Sequence, residues 1–239
     1  MERISMPSYI KVNRDINEPV KFNWSDKVWD DLLIPNPEME KQLAPISYRG
    51  ILALVLGSAE WVIWRINKYL LDSIPFQVIE AAWAGIIDWR YIKSFEVPDW
   101  SEQEEKIPYH IGSCLDFTFW QVKEAFILAR RNQPFWECCV SISNLAIYIL
   151  DDVQIFKNWQ QLAIERLTNL HSKKNENRLG SPVAKEILNS NNNYQFNSEK
   201  VLLGNFLYSL NYKQNPYLRS PEELIAAGFS SEPYYYDKQ

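Results

Sequence analysis

The stretch GILALVLGSAEWVIW, Gly50–Trp64, holds a single charge, Glu60, and is flanked by Arg49 and Arg65. Wound into a helix it is apolar all round, so no face is set aside for water. Only a protein core or a bilayer suits such a helix. The 15 residues from Gly50 to Trp64 fall short of the roughly 18–20 needed to span hydrocarbon. The expectation is therefore a deeply buried core helix, running from about Ser47 to Leu71, and no membrane contact.

Helix signals continue on both sides of it. Ser25 reads as an N-cap for DKVWDDLLI, with Asp26 favourable in the first turn and Pro35 and Pro37 ending the helix. Residues 1–24 are expected to be irregular, with one short strand near SYIKV. Pro75 opens a helix expected to run to about Ile92. A second long helix is expected from His110 to Arg131, its basic end suiting a helix C-terminus. Pro134 opens another apolar helix, and DVQIFKNWQQLAIERLTNLH follows from Asp152. Ser181-Pro182 is expected to start a short helix to Leu188, NSNNNYQFN reads as a polar loop, and Ser198 is expected to cap EKVLLGNFLYSL.

The closing segment is the most fully specified. In RSPEELIAAGF, Ser220 with Glu223 makes a capping box, Pro221 sits at the first helical position and Gly228 stops the helix. About seven residues do not hold a helix alone in water, so Leu224, Ile225 and Phe229 must dock on the body. Residues 230–239, with Tyr234, Tyr235 and Tyr236, form a tail. The sum is one all-α domain over residues 1–239, with about nine helices. Pro75-Phe76 and Pro134-Phe135 recur 59 residues apart, which raises the idea of stacked helical hairpins.

Composition narrows the function. The chain has 10 Trp and 14% aromatic residues, and 7 Gly against 13 Pro. A net charge of −5 argues against a nucleic-acid binder, which normally carries a basic face. Three cysteines, Cys114, Cys138 and Cys139, make no disulfide framework and read as small core residues of a reducing compartment. No basic region followed by an apolar run opens the chain, so a cytoplasmic location is expected.

Catalytic signatures are sparse. His110 and His171 lie 61 residues apart in no metal-ligand spacing. No glycine-rich phosphate loop or nucleophile elbow occurs. Asp151-Asp152 between two apolar helices could hold magnesium for diphosphate chemistry. The plainer reading is that Asp151 ends one helix and Asp152 caps the next. Glu60, Glu80, Asp88, Asp116 and Glu124 are isolated acids in apolar helices, with Arg49, Arg65 and Arg90 as internal partners. No catalytic residue, metal site or cofactor is expected.

Surfaces remain. Glu96, Asp99, Glu102, Glu104 and Glu105 surround Trp100. An exposed tryptophan among carboxylates would anchor a basic partner, the ring giving desolvated contact and the acids steering. Tyr234, Tyr235 and Tyr236 would supply a second contact surface.

The segments NPYLRSPEELIAAGF and EAAWAGIIDWRYI, on an acidic helical background, resemble parts of bacterial immunity proteins from polymorphic and secreted toxin systems. The resemblance implies a cytoplasmic antidote that binds one cognate toxin, basic at its contact surface, and blocks its active site. A helical scaffold or regulatory interaction protein is the alternative, and a magnesium-dependent enzyme a remote one.

Overall fold

Ser47 starts the helix around which everything else is arranged. Its hydroxyl accepts the Gly50 N–H at 3.3 Å, and α3 runs from Tyr48 to Ile66 with a 3-10 turn, Asn67–Tyr69, attached to its end. The computed structural model describes residues 5–10, 19–103, 105–173, 177–189 and 198–236. Helix and turn together span 22 residues, long enough to cross a membrane on length and composition, but 89% of the most apolar window is buried inside the fold. Helix and turn stay within the expected span Ser47–Leu71, so the length argument against a membrane span fails while the burial argument stands. Ala53, Leu54, Val55 and Leu56 are all without exposure. Each large side chain so buried contributes about 1.5–3 kcal/mol relative to leaving it in water.

Among the described residues, eight other α-helices complete the fold. They are α1 (Asp26–Leu32), α2 (Pro37–Leu43), α4 (Ile74–Ile87), α5 (Tyr109–Arg130), α6 (Trp136–Ile149), α7 (Val153–Leu170), α8 (Glu199–Ser209) and α9 (Pro221–Ala226). Helix α3 packs against α4, α5, α6 and α7. The chain is all-α, with nine α-helices and no strand among the described residues; two isolated bridges, Ile46–Ser172 and Ile92–Leu218, tie loops together.

Several expectations change in detail. Pro37 does not end a helix but opens α2: the Asn36 side chain accepts the Met39 N–H at 3.1 Å, and proline loses no needed donor at that position. Helix α4 stops at Ile87, because Asp88 turns extended and its carboxylate captures the Arg90 N–H at 2.9 Å to start a 3-10 turn, Trp89–Tyr91. Residues 181–184 are not helical, and only Lys185–Leu188 forms a 3-10 turn. Ser8–Ile10 is a turn and bend rather than strand. Lys11, Val12 and the asparagine-rich stretch 190–197 lie outside the described residues. The two Pro-Phe pairs do different jobs: Pro75 lies inside the first turn of α4 with Phe76 on Trp64, whereas Pro134 lies before α6 with Phe135 on Tyr48.

The C-terminal segment docks through Leu224 and Phe229, whereas Ile225, expected to dock with them, is 44% exposed on the outer face of the short helix. Ser220 and Glu223 exchange both capping-box bonds. Gly228 has φ +91°, a backbone that side chains disfavour, and lets the Phe229 N–H reach back to the Leu224 carbonyl at 3.1 Å. Leu224 is fully buried, and Phe229 lies 5.2 Å from the Tyr91 ring with the Arg90 guanidinium 4.0 Å from its face. The tail then folds over Tyr91. The Tyr91 hydroxyl donates to the Pro233 carbonyl, and Tyr234 stacks on Tyr212 and donates to the Arg219 carbonyl at 2.6 Å. Cutting the chain after Phe229 should therefore cost about 2–4 kcal/mol, from lost aromatic burial and hydrogen bonds. A urea melt unchanged by the truncation would refute this packing role.

Candidate functional site

The acidic segment is not a loose loop. The Asp116 carboxylate, on α5, accepts the backbone N–H groups of Trp100 and Ser101 at 3.0 and 2.8 Å. Asp99 accepts from the Ser101 hydroxyl at 2.9 Å and closes the turn from the other side. The chain comes so close to α5 that only glycine fits below it: a Cβ on Gly112 would lie 2.5 Å from the Trp100 carbonyl oxygen and 2.8 Å from the Ser101 nitrogen. Those are backbone atoms, which cannot swing aside. Gly112→Ala should cost about 1–3 kcal/mol and raise amide exchange at Trp100–Gln103. Equal melting temperatures for the two proteins would contradict the contact.

This clamp overturns part of the predicted contact surface. Trp100 is only 5% exposed and packs 5.3 Å from Phe119, so it anchors the turn to the body rather than a partner to the turn. Glu96, Asp99, Glu102 and Glu105 are exposed, and Glu104 lies outside the described residues. Tyr234 is 9% exposed and packed; Tyr235 is 46% exposed with its ring 5.6 Å from Tyr208, and Tyr236 is half-buried. The tyrosine tail is thus mainly a lid on Tyr91 and does not join the acidic segment in one site.

A different tryptophan takes the place expected of Trp100. Trp120, 44% exposed, stands on the outer stripe of α5 with Asp116 and Lys123. It stacks on Trp29 of α1 at 5.5 Å, and Trp29 in turn lies edge-on to the fully buried Phe117 at 4.9 Å. With Phe95, Val97, Pro98 and Phe119 it lines a groove of about 360 Å³ edged by Glu96, Asp99 and Asp116. The signal for Trp120 was in the sequence: it falls one turn from Asp116 and one from Lys123, on the polar face of a long helix.

Electrostatics reinforce the acidic character. The Ser101 hydroxyl, more than any other influence, holds the Asp99 carboxyl below its usual range. Burial pushes Asp116 up, and the nearby Asp99 charge adds to it against the two N–H donors. Asp99 is therefore the more readily ionised member of the pair.

The remaining polar clusters serve the fold. Asp151 pairs at 2.8 Å with the fully buried Arg65, and Asp152 caps α7 by accepting the Ile155 N–H at 3.3 Å. Asp152 thus caps as the plainer reading expected, whereas Asp151 does not end α6, which stops at Ile149 with Leu150 as its cap, and pairs with Arg65 instead. Among the described residues no three His, Cys, Asp or Glu side chains come together as a metal-binding group. Buried His171 faces Glu199 at 3.0 Å, and Glu199 also accepts the Ala184 N–H at 3.2 Å. Asp88 pairs with Arg90 at 2.6 Å, and Arg49 donates to the carbonyls of Gly180 and Ile87. Glu80 accepts from Asn215 at 2.9 Å. All three cysteines are buried, and burial pushes the Cys138 thiol up to about 12, away from nucleophilic use.

Comparison of the chain with protein-family models, with characterised proteins and with solved structures finds no match.

Proposed function

We propose that the chain is an immunity protein, which binds a cognate bacterial toxin in the cytoplasm and occludes its active site through the acidic groove. The observation that carries this reading is Trp120, an exposed indole braced from beneath by Trp29 and set beside Glu96, Asp99 and Asp116. A rigid aromatic anchor loses little freedom on binding, and such residues supply most of the energy of a protein interface. The surrounding carboxylates, with Glu102 and Glu105 exposed nearby, would steer a basic surface toward it. A net charge of −5 favours the same partner and disfavours nucleic acid.

Co-expression tests the proposal. The chain should restore growth to cells making the toxic protein encoded beside its gene. The exposed triple variant Glu96→Lys, Glu102→Lys, Glu105→Lys should fold and fail to do so. Full protection by the triple variant would remove the acidic surface from the account, and no protection by the natural chain would remove the function.

A further inference from the structure

The groove does not end at Glu96. Beyond it, between the segment Trp89–Glu96 and the C-terminal half of α5, lies a second cavity of about 300 Å³ that shares Phe95, Glu96 and Lys123 with the first. Its character is opposite. Lys93, Lys123, Arg130 and Arg219 line it, with Trp89 and Phe126 as apolar walls. Four cations meeting in one cavity are notable in a chain of net charge −5. The C-terminal end of α5 accounts for Arg130 through the helix dipole, but Lys93 and Arg219 arrive from separate segments.

These cations are little used by the fold. Among the described residues, Lys123, Arg130 and Arg219 take part in no ion pair. Arg130 instead lies 5.5 Å from the ring of Trp89, which is itself partly exposed. Lys93 already holds one carboxylate, that of Glu223, at 3.1 Å. Lys93 is thus the one lining cation already engaged by a carboxylate of the fold among the described residues.

We infer that this cavity is a docking site for a short acidic peptide segment carrying an apolar side chain between its carboxylates. The cations would pair with the carboxylates, while Trp89 and Phe126 would cover the apolar residue. A long polyanion such as a nucleic acid fits poorly, since the adjoining groove presents Glu96, Asp99 and Asp116 to its continuing charge. The site goes beyond the immunity reading and does not depend on it, because it lies at the opposite-charged end of the groove.

The test titrates the ¹⁵N-labelled full chain with the blocked peptide Glu-Glu-Phe-Glu-Glu at low salt. Amide shifts should concentrate at 89–96, 123–130 and 218–219, weaken as salt is added, and be absent with Gln-Gln-Phe-Gln-Gln. The double variant Arg130→Glu, Arg219→Glu should lose about tenfold or more in affinity. Lys123→Glu gives an independent check, and Glu102→Lys with Glu105→Lys should leave binding intact. The inference is overturned if the acidic peptide causes no shifts there, if the glutamine peptide binds equally, or if the charge-reversed variants bind as well as the natural chain. It is also overturned if inorganic phosphate or a single-stranded oligonucleotide binds the same amides as tightly, since the site would then be one for free anions or for nucleic acid.

Discussion

Replacing Glu60 with glutamine is expected to flatten the pH dependence of stability between about pH 5 and 8, leaving the variant the more stable protein at the upper end. Glu60 lies in the middle of α3, 8% exposed, and accepts a hydrogen bond from the Tyr9 hydroxyl. Tyr9 also stacks on Trp159 at 5.5 Å. Burial raises the Glu60 carboxyl from 4.5 to about 7, with Lys185 and Trp83 pulling it partly back. A carboxyl raised on folding stabilises the folded state fully below its unfolded value, and that contribution is lost as pH rises through the folded value. Each unit is worth about 1.4 kcal/mol, so a shift from 4.5 to about 7 amounts to about 3 kcal/mol. Glutamine keeps the shape and an acceptor for Tyr9 but has no proton to lose. Urea unfolding of both proteins at several pH values measures the difference directly. A difference constant across that range would mean that Glu60 does not titrate as its burial requires.

Trp120→Ala should produce the largest loss of partner binding, on the order of 100-fold or more, as truncation of a central aromatic anchor does. The fold should notice much less, because the ring is 44% exposed and its support, Trp29, also contacts Trp24 and Phe117. Trp120→Phe should recover part of the affinity by keeping an aromatic surface on Trp29. Calorimetry with the proposed toxin partner separates binding from stability. Equal affinity for the alanine variant would move the contact away from the groove.

Much of this architecture could be read from local signals, and the departures share a cause. Helix α9 was legible because its determinants lie within nine residues: Ser220, Pro221, Glu223 and Gly228 each act on neighbouring backbone. Helix α2 was missed because proline marks both stops and starts, and the residue that settles the matter is Asn36, which caps the helix that Pro37 opens. The end of α3 was overestimated: the α-helix stops at Ile66 and tightens into a 3-10 turn that carries it only to Tyr69, short of the expected Leu71.

The candidate site was legible in composition but not in arrangement. Acids around an aromatic pointed to the region near residues 95–105, whose first residues line the proposed groove. Which tryptophan faces water depended on Asp116, which pins the Trp100 backbone from 16 residues away, and on α1 supplying Trp29 beneath Trp120. Neither pairing leaves a periodic trace. The cationic cavity was hidden for the same reason, since Lys93, Arg130 and Arg219 meet only once the C-terminal segment has docked beside Tyr91.

Backbone hydrogen exchange on the chain, alone and bound to the proposed cognate toxin, tests the central claim most directly. Binding through the acidic groove predicts new protection at residues 94–103 and 116–123, with helices α7 and α8 unchanged. Protection confined to α8 and the tyrosine tail, with the groove still exchanging as in the free protein, would contradict it.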